Sequence, residues 1–429
     1  MLTNNATGFA SPPAGDRKSG STIHFTVTGL IALCASLVGT SVAVTRFMET
    51  RHQGGKTETA AKSEVHAAPA KPASTNAPWG DLVTLDVEIQ QPEEYVSFDT
   101  TKNHSQWIFS GLTANQVKEK LSACGLTDAQ ISAALADGKV TSRSDATVVS
   151  PDASLILSLT PDARIKLYSL LSTWPENKFM SEPYHLAGNF ALMAAKTGVS
   201  QKAISLIGKL TYTRAGVDFF SDPEVVLAQV TGEDERLHLL KALTYQTAVL
   251  ARLRLSASSD IDKIVGYWGS VPGVRAKDLT PLLESVARTP EGGTVSLLYL
   301  LPQFARERLY TFPLPTQAGE KAMDCHWTAL NFLNSEPDDR LGDPEYASAY
   351  IKEKFYQIGK PSMCGDVLFV LDPAGGVIHS AVYIADDIVF TKNGVNYAQP
   401  WILMRTKDLL NAYTKTETPK VVYYRRKET

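Results

Sequence analysis

Apolar positions recur with a recognisable period along most of the chain, but not at its front. From Phe25 to Thr45 no residue is charged. Leu30, Ile31, Leu33, Leu37, Val38, Val42 and Val44 fall between Arg17/Lys18 and Arg46. Twenty residues of helix span about 30 Å, the thickness of a bilayer's hydrocarbon core, so 23–46 is expected to be a transmembrane helix or signal anchor. Ser41-Val42-Ala43 has the small-x-small form of a signal-peptidase site. The tail at 1–22 is long for an n-region, which favours a retained anchor. Residues 47–78 mix Gly, Ala, Pro and Lys without periodicity, a composition that cannot bury enough surface to fold. They are expected to form a disordered linker with a reach of roughly 30 Å.

A second pattern begins near Trp79. Leu82 to Ile89 alternates apolar and polar residues, the signature of a half-buried strand. A short repeat follows, Gly111-Leu112-Thr113-Ala114-Asn115-Gln116-Val117 and Gly125-Leu126-Thr127-Asp128-Ala129-Gln130-Ile131. In each copy the Thr is placed to cap a helix. Thr160-Pro161-Asp162 opens another helix with Pro at its first position. Helical patterns are expected through about 187–210, 223–256 and 278–306. In the second of these, Leu237, Leu240, Leu243, Ala248, Leu250, Ala251 and Leu253 make one wide apolar face interrupted by Lys241, Arg252 and Arg254. His104, His185 and His238 stand alone, with no partner at a metal-ligand spacing. Residues 79–310 are therefore expected to be a helix-rich module with a small β element, without chemistry of its own.

The pattern changes again toward the C-terminus. Asp324-Cys325-His326-Trp327-Thr328-Ala329-Leu330-Asn331-Phe332 turns helical, placing Cys325 at a helix start, where unpaired N–H groups favour thiolate over thiol. Gly365-Asp366-Val367-Leu368-Phe369-Val370 is a strand entered from a turn. Val377 to Ile384 is a second strand carrying His379, and Ile388 to Asn393 a third, across an Asp386-Asp387 turn. A three-residue loop would set Thr391 and Asn393 on the histidine's face, whereas a two-residue loop would put Lys392 there. His326 leaves the helix about 100° from Cys325 and is read as incidental.

Composition narrows the classes. Among 429 residues, four cysteines are too few for a disulfide scaffold, and no Cys-x-x-Cys pair suggests a structural zinc site. The net charge of −3 gives no electrostatic reason to expect nucleic acid. Residues 1–79 carry seven Lys/Arg against four Asp/Glu, and the remainder 35 against 41, a basic front on a mildly acidic body. Cys34, Cys124 and Cys364 read as packing residues, and a Cys325–Cys364 disulfide competes with a free nucleophile in an oxidising compartment.

A cysteine at a helix start, then Gly-Asp-Val-Leu-Phe-Val, then His-Ser-Ala-Val-Tyr-Ile resembles the NlpC-type papain-like cysteine peptidases that cleave bacterial cell-wall peptides. The resemblance covers 311–429. The family usually continues Asp-Cys with Ser-Gly-Phe, where this chain has His326-Trp327-Thr328. It implies that Cys325 is the nucleophile and His379 the base, with the orienting residue nearest Thr391. The chemistry prefers Asn393, whose amide oxygen accepts better from an imidazole N–H. The backbone N–H of Cys325 would supply part of an oxyanion hole, and Gln317 is a candidate side-chain donor.

The fold class expected is α+β: an N-terminal transmembrane helix, a disordered linker (47–78), a helix-rich middle region (79–310) and a C-terminal papain-like antiparallel sheet packed on a helix (311–429). The function expected is a single-pass, membrane-anchored cysteine peptidase or amidase, its body extracytoplasmic. Its substrate would be a peptide or peptidoglycan-like molecule, with no cofactor, metal or nucleic acid. The alternative is a catalytically inactive envelope binding or scaffold protein that keeps the fold.

Overall fold

A computed structural model describes residues 77–96, 105–314, 323–415 and 417–427. The chain is mixed α+β. The N-terminal transmembrane helix of the expected fold is not found among the described residues. Among the described residues no helix is long and apolar enough to cross a membrane, and the tail at 1–22, the apolar run at 23–46 and nearly all of the linker at 47–78 lie outside them.

Strand β1 (Asp81–Ile89) pairs antiparallel along its whole length with β2 (Gln246–Leu255), from Asp81 opposite Arg254 to Ile89 opposite Gln246. Strand β3 (Gly293–Ser296) lies on the other side of β2. This corrects the helix expected through 223–256, which ends at Thr244. From there Val249, Ala251, Leu253 and Leu255 are buried while Leu250, Arg252 and Arg254 face out. The two arginines are the polar positions of a period-2 strand rather than interruptions of a helix.

The larger sheet has six antiparallel strands. In chain order these are β4 (Phe355–Ile358), β5 (Val367–Leu371), β6 (Val377–Ala385), β7 (Ile388–Lys392), β8 (Trp401–Arg405) and β9 (Lys420–Arg426). Across the sheet the order is β4-β9-β5-β6-β7-β8. Both faces are covered, so β5 and β7 are buried at every position and read as continuous apolar runs. On one face Val367, Phe369, Val382, Ile384, Phe390 and Leu403 join Trp327 and Leu330 of the Cys325–Asn331 helix and Phe332, which follows it. On the other, Leu368, Ala381, Val389 and Met404 meet Ala248 of β2 and Leu409 of the Thr406–Tyr413 helix.

The first of these cores also takes in Val249, Trp268, Leu297 and Phe304. It therefore runs straight through residue 310, where the sequence suggested a boundary. Polar contacts reinforce the join. Tyr267 Oη donates to Ile384 O (2.6 Å), and Arg405 donates to Thr84 Oγ1 (2.8 Å) and Asp86 Oδ1 (3.2 Å).

Residues 107–244 form a separate body inserted between β1 and β2, with its own core of Trp107, Phe109, Leu121, Tyr168, Phe219 and Phe220. The expectation of a helix-rich region with one small β element at its start is corrected here too. Besides the β1-β2-β3 sheet, this body holds two three-stranded sheets, Trp107–Ser110 with Val140–Ser142 and Ala146–Val149, and Tyr184–Leu186 with Tyr212–Arg214 and Val217–Phe220. Both repeat copies form complete capping boxes, Thr113 with Gln116 and Thr127 with Gln130.

Candidate active site

Cys325 is the first residue of a seven-residue helix. Asp324 caps that helix by accepting the backbone N–H of Trp327 at 2.7 Å. Two buried anchors hold the helix against its surroundings. Asn331 bonds the carbonyls of Trp327 and Asp338 and accepts the Asp338 N–H, and Thr328 Oγ1 accepts from Trp401 Nε1 at 3.0 Å. The Gly365-Asp366 turn starts β5 beside it. Gly365 sits at φ 103°, where only glycine is relaxed, and a Cβ there would press on Leu333. Asp366 is buried, accepts the N–H groups of Ser362 and Met363, and receives two hydrogen bonds from Arg425.

His379 stands in β6, fully buried opposite Val370 of β5. The turn to β7 is the two-residue one, closed by Ala385 opposite Ile388, with Asp386 at φ 53°. A bulge between Tyr383 and Ala385 then shifts the ladder to Val382 opposite Phe390. Carried onward, that ladder sets Asn393 opposite His379 and Thr391 diagonal to it on the same face. The short loop and the longer loop's register thus occur together. The direct partner of the imidazole is Thr391, Oγ1 to Nε2 at 2.8 Å. Asn393 lies one step further out: its Oδ1 is 3.5 Å from Thr391 Oγ1, and its Nδ2 donates to Gln246 Oε1 at 3.0 Å. With Thr391 donating to Asn393, the Thr391 oxygen accepts from His379 Nε2–H. The Nδ1 lone pair is thereby left for the cysteine.

Cys325 and His379 come together, and a third residue joins them. His326, read from sequence as incidental, lies against the same sulfur. Its Nδ1 bonds Ser380 Oγ at 2.5 Å, while its Nε2 is buried with no oxygen or nitrogen partner, as is Nδ1 of His379. Burial alone would raise the Cys325 thiol. The charges and hydrogen bonds of His326 and His379 outweigh burial and hold the thiol well below its ordinary value. Burial would lower His326 in turn, but the charge and hydrogen bond of Cys325, with Asp324 behind it, lift it to about 9. This is the signature of a thiolate–imidazolium pair.

Two further groups border the pair. Lys392 is fully buried, its Nζ donating to the carbonyls of Gly394 (2.6 Å) and Asn396 (3.0 Å). Burial lowers it to about 8 despite the opposing pull of Cys325 and Asp324. Tyr413 stacks on the His379 ring, centroids 4.2 Å apart and planes 21° apart. The next residue, Thr414, accepts through its carbonyl from the neighbourhood of the inserted body, where His185 Nε2 is 3.2 Å away.

Cys325 and Cys364 are both free, so the disulfide alternative is not formed. Burial, followed by the Asp366 charge, pushes the Cys364 thiol up, the opposite of Cys325. Gln317 lies outside the described residues. No set of three or more His, Cys, Asp or Glu side chains among the described residues has the arrangement of a metal site. A sequence signal for His326 does exist: Cys325 to His379 and His326 to Ser380 are both 54 residues apart, so one dipeptide faces another. No protein-family model, curated protein or solved structure matches this chain.

Proposed function

We propose that the protein is a cysteine hydrolase of peptide or amide bonds, acting on peptidoglycan-like cell-wall peptides as the NlpC-type resemblance implies. One observation carries this reading: a thiol held toward thiolate at a helix start by His326 and by His379, the latter's far nitrogen bonded to Thr391 at 2.8 Å. The Cys325 thiolate attacks the amide carbon, and the imidazolium passes its proton to the leaving nitrogen as the C–N bond breaks. Water then attacks the thioester, its proton going to the imidazole, and the C–S bond breaks to return the thiolate. The backbone N–H of Cys325 is one donor for the oxyanion.

The test is cleavage of cell-wall peptides and a panel of simple amides by the full chain. Turnover that disappears in Cys325→Ser supports the reading. No cleavage by the wild type, together with an ordinary alkylation profile at Cys325, overturns it in favour of a scaffold that keeps the fold.

A further inference from the structure

The Cys325 sulfur has two imidazole neighbours, and each has its own hydroxyl behind it. His379 is backed by Thr391 from β7, and His326 by Ser380 from β6. In both rings the nitrogen not bonded to a hydroxyl is buried without a hydrogen-bond partner, and both rings act on the Cys325 thiol. A hydrolase of the proposed kind needs only one such ring, so the second is unexplained by that reading.

We propose that His326, oriented by Ser380, is a second acid–base residue on the Cys325 sulfur, so that two imidazoles share the one proton the thiol gives up. The inference rests on the hydrolase reading. In the resting site the thiolate faces one imidazolium and one neutral ring. When the thiolate adds to the amide carbon, the imidazolium proton goes to the departing nitrogen and the C–N bond breaks. Both rings are then neutral. Either one accepts the proton of the water that attacks the thioester, and cleavage of the C–S bond restores thiolate and imidazolium. The ring that gives the proton to the amine need not be the ring that takes it from water.

The charged and titratable groups around the pair belong to four elements. Asp324 caps the cysteine's own helix, His379 stands on β6, Lys392 on β7, and Tyr413 on the Thr406–Tyr413 helix. Asp324 favours a protonated His326, and Lys392 favours the thiolate.

The test is the pH profile of Cys325 alkylation by iodoacetamide in the full chain, read at the Cys325 peptide by mass spectrometry. An ordinary thiol is roughly 0.3% thiolate at pH 6, so the full effect of the site spans about 300-fold there. His326→Gln and His379→Gln are each expected to slow alkylation at pH 6 by about 3- to 30-fold, and the double variant by about 100-fold or more. His326→Asn separates a structural role from a chemical one, because an Asn amide reproduces the Nδ1 bond to Ser380 but not the contact with sulfur. It is expected to behave like His326→Gln. The inference is overturned, with the hydrolase reading intact, when His379→Gln alone removes the whole effect and both His326 variants follow the wild-type profile. A wild-type profile like that of an ordinary thiol overturns both.

Discussion

Asn393 and Gln246 meet across the two sheets: the Asn393 amide nitrogen donates to Gln246 Oε1 at 3.0 Å. Gln246 is the first residue of β2, where the chain returns from the inserted body, and Asn393 follows β7. Because that contact uses the nitrogen of Asn393, the oxygen is turned to Thr391, and the polarity of the His379 relay is set from outside the larger sheet.

Thr391→Val removes the hydroxyl at nearly constant volume and leaves a buried imidazole N–H unpaired, a loss of about 1–3 kcal/mol in orienting the ring. Alkylation of Cys325 at pH 6 is expected to slow roughly tenfold, with Thr391→Ser restoring it. Equal rates in wild type and Thr391→Val would remove Thr391 from the relay.

The thiolate–imidazolium pair has a definite pH signature. The lowered Cys325 thiol contributes stability that is present above its unfolded value of about 9 and lost as pH falls through its folded value. His326, raised to about 9, contributes stability that is present below its unfolded value of about 6.5 and lost as pH rises through about 9. Between about 6.5 and 9 the two slopes oppose each other. The difference in melting temperature between wild type and Cys325→Ser is therefore expected to be level from about pH 7 upward and to fall as pH drops below about 6.5, where only the thiol's slope remains. A steady slope through neutrality would show that only one partner is shifted.

Asp366 is buried beneath Arg425, which holds it with two hydrogen bonds of 2.7 and 2.8 Å. Asp366→Asn keeps the shape but breaks the ion pair, and is expected to lower stability by about 2–4 kcal/mol in urea unfolding. Arg425→Ala would leave the buried carboxylate unpaired and cost at least as much. A difference under about 0.5 kcal/mol in both would mean that the turn is held by its backbone alone.

Tyr413 contributes to the site through its ring, since the stack on His379 is what the geometry records. Tyr413→Phe is expected to leave Cys325 alkylation unchanged. Tyr413→Ala should cost roughly 1–2 kcal/mol in unfolding and broaden the His379 ring resonances in NMR spectra. Loss of alkylation in the Phe variant would instead point to the hydroxyl.

The meander around His379 was legible because a sheet covered on both faces writes itself as apolar runs broken by turns, and β5, β6 and β7 do so. The loop after β6 was not. Turn length and register are independent once a bulge intervenes, and nothing in Tyr383-Ile384-Ala385 announces one. Thr391 was found as the nearer candidate and set behind Asn393 because hydrogen-bonding strength was weighed before reach. His326 was missed because the angular step along the helix was read without Ser380 of β6, which bonds its Nδ1 and orients the ring. Strand β2 was missed because leucines at 250 and 253 fit both periods, and only the alternation of Arg252 and Arg254 distinguishes them.

The insertion of 107–244 between β1 and β2 bears on how the molecule assembles. Asp81 and Arg254 pair across 173 residues of chain, a closure that would be slow if that length remained unfolded. The inserted body has a core of its own, and at its base Gln91 Nε2 bonds Thr244 Oγ1 at 2.6 Å. Once that body has folded, the two strands emerge side by side, and the effective loop shrinks from more than a hundred residues to a few. Refolding should accordingly run in sequence, the insertion first and the sheet that carries Gln246 second, so that a thiol with depressed alkylation pH would emerge only in the later phase.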